Sequence, residues 1–160
     1  MDRINQILRH PLFKEYMEAN AVKEKNRVFC RHDMSHVLDV ARIAYILNIE
    51  EAHHLSRDMI YGAALLHDIG RHVQYETGEN HAYVSAGLAP EILKECDFSE
   101  EEVKKIVSAI YTHSDKSQMD GIGLNALLVK ADQLSRACYA CPAEKECKWS
   151  KERKNLEMKW

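Results

Sequence analysis

Residues 63–70 read Ala-Ala-Leu-Leu-His-Asp-Ile-Gly, a run of small residues and leucines that ends in a histidine and an aspartate, with a glycine close behind. Glycine commonly closes helices, so His67 and Asp68 are expected at the end of an otherwise buried helix. One imidazole nitrogen and one carboxylate oxygen placed there can reach the same divalent ion, because a helix end can adjust while its apolar body stays packed. Alone, the dipeptide also fits a capping or surface pair. His36 stands at the head of the apolar stripe Val37, Val40, Ala41, Ala44 and Leu47. Asp132 lies within Leu127-Leu128-Val129-Lys130-Ala131-Asp132-Gln133-Leu134, where a carboxylate on the shoulder of an apolar helix needs a partner to be buried. A divalent ion would be such a partner. His81 and His113 add two imidazoles beside apolar faces. For His36, His67, Asp68 and Asp132 the alternative is a set of satisfied core polar groups. For His81 and His113 it is contact with substrate, or hydrogen bonds to the ligands.

The elements that must position these residues are helical. Gly (6) and Pro (3) are scarce, and apolar residues recur at spacings of three and four. Helices are expected from Pro11 onward, then over about His32 to Asn48, Ser56 to Asp68, His81 to Glu95 with a bend or break at Pro90, and Leu124 to Cys138. Ser99 followed by Glu100, Glu101 and Glu102 predicts a capping box. After it, Val103, Ile106, Val107 and Ile110 form a stripe that leads to His113 one turn on. His81 thus opens one helix and His113 closes another. No segment alternates with period two, so the fold class is all-α with negligible sheet.

A length of 160 residues predicts one domain. Lys and Arg total 22 against 25 Asp and Glu, so no broad positive field exists to draw a polyanion, and nucleic acid is not expected as the main partner. The first sixteen residues carry charges every few positions, and no window reaches the roughly 18 apolar residues of a membrane span. A cytoplasmic protein without a membrane partner is the expectation. In a reducing compartment, five cysteines read as free thiols or metal ligands rather than as a disulfide framework.

The order of His36, then His67-Asp68 in Ala-Leu-Leu-His-Asp-Ile-Gly, then Asp132 in Val-Lys-Ala-Asp-Gln-Leu-Ser-Arg, resembles the HD-domain superfamily of metal-dependent phosphohydrolases in its small bacterial type, over roughly residues 27–136. The resemblance implies a single compact HD-domain bundle of about six to eight helices, with 137–160 as a Cys-containing extension. It implies that His36, His67, Asp68 and Asp132 bind a first metal. In two-metal members, His81 and His113 match the additional ligands, and Asp68 bridges both ions. The activity implied is hydrolysis of a phosphate ester, of a nucleotide or a related small molecule. Other members imply a di-iron oxygenase, and a non-catalytic metal or nucleotide sensor is the third reading.

An imidazole and carboxylate site suits Fe, Mn, Co, Ni or Zn. A bound ion lowers the pKa of its water, and two ions can also stabilise a leaving oxygen. Arg71, just after the His-Asp turn, and Arg136, four residues past Asp132, are the candidates for holding phosphate beside Asp68; solvated surface charge is the plain alternative. Lys130 lies too far around its helix. His32, one turn before His36, faces the same cleft or merely shares its helix face; with Asp115 it is a candidate proton donor. His10, His53, His54 and His72 are expected at the surface. Cys138, Cys141 and Cys147 have spacings suited to zinc or an iron–sulfur cluster, with Cys30 or Cys96 as the fourth ligand, or they are ordinary thiols.

Overall fold

Five helices start on a side chain that accepts from their first free amides. The His10 ring accepts from Leu12 N, Asp33 from His36 N, Ser56 from Met59 N, and Asn80 from Ala82 N and Tyr83 N. Ser99 and Glu102 form the full reciprocal box. The computed structural model describes residues 2–159. Among them the α-helices are α1 (Asp2–Arg9), α2 (Pro11–Lys23), α3 (Met34–Glu50), α4 (Arg57–Leu66), α5 (Arg71–Thr77), α6 (His81–Glu95), α7 (Glu100–Thr112) and α8 (Leu124–Leu134). Short 3-10 turns lie at Lys116–Gln118 and Cys138–Ala140, and no strand occurs among the described residues. The architecture is an all-α bundle. No helix there is long and apolar enough to cross a membrane.

Helix α4 is the axis. It packs on α1, α3, α6, α7 and α8, and nearly every residue from Met59 to Leu66 is buried. The stripe of α3 buries His36 with Val37, Val40, Ala41, Ala44 and Leu47, so the histidine is carried inward on the same face. In α7, Val103, Ile106, Ala109 and Ile110 are buried and His113 follows as the C-cap. The bundle therefore delivers one end each of α3, α4, α6, α7 and α8 to a common place.

Two helices form that were not expected, and two expectations are corrected. Helix α1 forms in the charged first segment because Ile4 and Ile7 fall on one face and are buried. Helix α5 forms without any buried residue of its own, closing on Gly78 in the left-handed region, φ 81°. Helix α6 runs unbroken through Pro90, held by buried Ala86, Ala89, Ile92 and Leu93 around it. Helix α8 ends at Leu134 rather than Cys138, since Asn155 Nδ2 reaches back to donate to the carbonyls of Gln133, Leu134 and Arg136. A side chain twenty residues downstream thus replaces the next turn of helix.

Candidate metal centre

Helix α4 ends at Leu66, and the chain turns through His67, Asp68, Ile69 and Gly70 into α5. The turn is held from below by Asn20 of α2, which is buried: its Nδ2 donates to Asp68 O at 3.0 Å, and its Oδ1 accepts from His72 N at 2.7 Å. Gly70 N donates to Ser85 Oγ of α6 at 2.9 Å. A Cβ at position 70 would stand 2.7 Å from Ser85 N, which explains the glycine by close approach of two backbones.

His67 and His113 close α4 and α7 in the same way. His67 Nδ1 donates to Ala64 O at 2.7 Å, and His113 Nδ1 donates to Ile110 O at 2.6 Å. Each back-bond fixes the tautomer and leaves Nε2 as a lone pair directed away from the helix. His36 is held likewise: Ser135 Oγ donates to Asp132 O, so it accepts from His36 Nδ1 at 3.2 Å.

These lone pairs surround Asp68, which is fully buried. Its Oδ2 lies 3.1 Å from His67 Nε2, 3.6 Å from His36 Nε2 and 3.8 Å from His32 Nε2. Its Oδ1 lies 3.3 Å from His81 Nε2, 3.6 Å from His113 Nε2 and 2.9 Å from Arg71 Nε. Asp132 Oδ1 lies 3.2 Å from His36 Nε2 and 3.8 Å from His67 Nε2. His81 Nε2 and His113 Nε2 are 3.1 Å apart.

Several buried acceptors therefore point at one another. His67 Nε2 and Asp68 Oδ2 are without a hydrogen-bond partner, as is His81 Nδ1. Unpaired buried polar atoms are costly, and a shared cation satisfies them together. Two triads have the spacing for an ion: His36, His67 and Asp132, and His67, Asp68 and His113, with ligand atoms within 4.8 Å of one another. The donor set of imidazoles and carboxylates fits a divalent transition metal.

The electrostatics agree. Burial works against charge on Asp68, but His67, Arg71 and His32 hold its carboxyl well below the usual carboxylate range. For Asp132, burial is outweighed by the close contact with His36 Nε2, with His67 and the Arg136 guanidinium beside it, and its carboxyl is again held well below that range. Burial pushes His81 down to about 3 against the pull of Asp68, so it is a neutral donor of a lone pair. Burial also opposes charge on His36, yet Asp132 and Asp68 raise its pKa, so a cation is favoured at its Nε2.

The six candidate ligands of the sequence, His36, His67, Asp68, His81, His113 and Asp132, converge here. Arg71 donates to Asp68, and Arg136 Nη2 lies 3.2 Å from Asp132 Oδ1 and 3.0 Å from His36 Nε2. Both arginines line a cavity of about 420 Å³ whose lining also includes His81, Asp132, Phe29 and Trp149. Other candidates fall elsewhere. Lys130 pairs with Glu51, and Asp115 is exposed and caps its own turn through Ser117. His10 is buried rather than superficial, pairing with Glu95 at 3.1 Å, and His72 is half-buried, stacked on Tyr16. His53 is half-buried beside Glu51, and His54 is exposed. The supporting groups missed in the sequence are Asn20, Glu24 and Tyr75. Asn20 had a signal, since it follows Phe13, Tyr16 and Met17 in the inward stripe of α2. Glu24 and Tyr75 had none.

Residues 34–145 match the family model of the HD domain. An "Uncharacterized protein" of Clostridium beijerinckii is 40% identical over 158 residues, covering 99% of each chain. The Bacillus subtilis protein "Putative phosphohydrolase YueE" is 26% identical over 142 residues, 80% of this chain and 73% of that one. The crystal structure of a "predicted HD superfamily hydrolase" from an uncultured Thermotogales bacterium superposes with a TM-score of 0.63 at 24% identity, over 88% of this chain and 79% of that one.

Proposed function

Since the chain belongs to the HD-domain family, we propose that it is a metal-dependent phosphohydrolase acting on a nucleotide or a related small phosphate ester. The observation that carries this reading is the division of Asp68, with Oδ2 turned to the lone pairs of His67 and His36 and Oδ1 to those of His81 and His113. In it, His36, His67, Asp68 and Asp132 hold a first divalent ion, and His81, His113 and the other oxygen of Asp68 hold a second. Bound ions of the Fe, Mn, Co, Ni or Zn type supply an acidified water and positive charge for the leaving oxygen.

The chain's own groups do the rest. Arg71 and Arg136 bind and orient phosphate oxygens with forked hydrogen bonds at the inner end of the cavity. Phe29 and Trp149 also line this cavity, Trp149 with Arg153 stacked 3.9 Å over its ring, and an aromatic lining favours a nucleotide over a bare phosphomonoester. His32, with Nε2 free of a proton, accepts one from the attacking water. The chain is taken as one HD domain whose Cys-bearing segment from 137 onward builds the outer wall.

The test is a panel of nucleotides, phosphomonoesters and phosphodiesters offered to protein loaded in turn with manganese, iron and zinc. Release of phosphate or cleavage of a diester, abolished in Asp68→Ala, is expected. Loaded protein that turns over nothing on the panel overturns the reading. Strict dependence on iron with consumption of dioxygen would assign an oxygenase, and tight nucleotide binding without turnover a sensor.

A further inference from the structure

Four of the five cysteines border one cavity. Cys30, from the segment before α3, lines a single cavity of about 390 Å³ with Cys138, Cys141 and Cys147 of the C-terminal segment. The fifth, Cys96, sits in the hydrophobic core and takes no part. The C-terminal three are set by successive turns, in which Cys141 N donates to Cys138 O, Glu144 N to Cys141 O and Cys147 N to Glu144 O. These turns keep the three thiols on one short, tightly folded stretch, extended at Cys141, and Glu144 between them is held by Lys154 Nζ at 2.7 Å. Burial pushes the Cys30 thiol up while Arg136 pulls it down, and Cys138 and Cys141 lie near enough to add to the rise. All four cysteines are free thiols, so none is committed to a disulfide.

We infer that Cys30, Cys138, Cys141 and Cys147 are the ligands of an iron–sulfur cluster beside the histidine and aspartate centre. Four cysteine thiolates are the ordinary ligand set of such clusters. Spacing selects the cluster over a single zinc ion. Zinc at about 2.3 Å from each sulfur would need sulfurs roughly 3.8 Å apart. Among the described residues no three of these sulfurs stand within 4.8 Å of one another, which leaves room among them for a group larger than one ion. Charge agrees, because a thiolate-ligated cluster is anionic and Arg27, Arg31, Arg136 and Lys154 line the same cavity. On loading from a carrier, each thiol passes its proton to the departing ligand and forms one Fe–S bond, with no change of oxidation state.

The cluster fastens two segments already joined at one point. Arg136 Nη1 donates to Arg31 O at 3.1 Å, and Cys30 and Cys138 flank that contact in sequence. The fastening fixes Arg136 beside His36 and Asp132.

Full-length protein purified without oxygen, and again after reconstitution with iron and sulfide, is assayed for acid-labile sulfide and for alkylation of its thiols. Sulfide in proportion to protein, a broad visible absorption band, and protection of Cys30, Cys141 and Cys147 from alkylation in the native protein that is lost once iron is chelated, are expected. Cys141→Ser loses the sulfide, whereas Asp68→Ala keeps it, which separates this site from the phosphohydrolase centre. Because the sulfide and alkylation results come from the unaltered chain, they stand even if a variant fails to fold. Zinc without sulfide on the thiols, or Cys30, Cys141 and Cys147 freely alkylated in the native protein after reconstitution, overturns the inference.

Discussion

Glu24 and His32 form a buried pair in which the carboxylate grips the histidine twice: Oε1 accepts from His32 Nδ1 at 2.5 Å and Oε2 accepts from His32 N at 2.7 Å. Tyr75 adds a third bond at 2.6 Å to Oε1. Burial raises the Glu24 carboxyl, but the bonds from His32 and Tyr75 prevail and hold it at about 2. His32 is shifted the other way, with burial lowering its pKa below the ordinary value. An anionic Glu24 thus fixes a neutral His32 with its Nε2 toward Asp68. Glu24→Gln keeps the volume but sets an amide donor against either His32 N or Nδ1. Turnover should fall about 10- to 100-fold with metal content retained. Equal loss of metal and turnover would instead make His32 a ligand.

Asp68→Asn replaces both bridging oxygens by one weak acceptor and one donor. The main-chain bonds of the turn, from Asn20 Nδ2 and Arg71 N to the carbonyl of residue 68, do not depend on the carboxylate. Metal analysis should show loss of bound ion and assays no turnover, while the helical circular dichroism is unchanged. The same linkage applies to the parent protein. Chelation should lower its Tm, and metal at about 100 times Kd should restore roughly 2.7 kcal/mol.

Arg71 is the arginine whose guanidinium already spans two acceptors, Asp68 Oδ1 at 2.9 Å and Gln74 Oε1 at 3.4 Å. Lysine in its place keeps the charge but not the fork. In steady-state kinetics Arg71→Lys should raise KM for a phosphate ester about tenfold, the loss of one charge-assisted bond. An unchanged KM would leave Arg71 as a counter-charge to Asp68 only.

The histidine and aspartate cluster was legible because its members combine two sequence signals, a polar residue within an apolar stripe and a position at a helix end. His36 and Asp132 show the first, and His67, His81 and His113 the second. Glu24 was illegible because it reaches His32 across an irregular segment with no period to betray it. The end of α8 was illegible for a similar reason, since Asn155 closes it from a distant stretch of chain. Local pattern reports which face of a helix is buried; it does not report which loop returns to cover its end.

Acid sensitivity should reside partly far from the centre. Arg3 of α1 donates to Glu102 Oε2 at 2.8 Å and to Asp58 Oδ2 at 3.0 Å, tying α1 to α7 and α4. The hydrogen bond from Arg3 outweighs burial and lowers Glu102 to about 2. A carboxyl depressed in the folded state contributes fully above its unfolded pKa, about 4.3, and less as pH falls toward 2. Glu102→Gln should therefore cost roughly 1 kcal/mol or less at pH 7 and flatten, without abolishing, the fall in stability between pH 5 and 2. Glu24 keeps part of that slope. Urea titrations at stepped pH would show it, and an unaltered slope would count against the Arg3 pair.

Gly70 offers a test of how closely the fold must hold the centre. Its backbone φ is −87°, which any residue adopts, so the need for glycine is one of space alone. An added Cβ would lie 2.7 Å from Ser85 N and 2.7 Å from Val84 Cγ1. Val84 Cγ1 can turn away, but Val84 Cβ, at 2.8 Å, and Ser85 N move only with the main chain of α6, so the turn and α6 must separate. That movement lengthens the bond from Gly70 N to Ser85 Oγ and carries His81, the first residue of α6, away from Asp68 Oδ1. Overpacking of this kind costs about 1–3 kcal/mol. Gly70→Ala should thus lower Tm and, in protein folded at low temperature, weaken the ion nearest His81 more than the ion nearest His36. Metal titration distinguishes the two: loss of one equivalent with the other retained fits this geometry, whereas equal weakening of both places the damage in α4 instead.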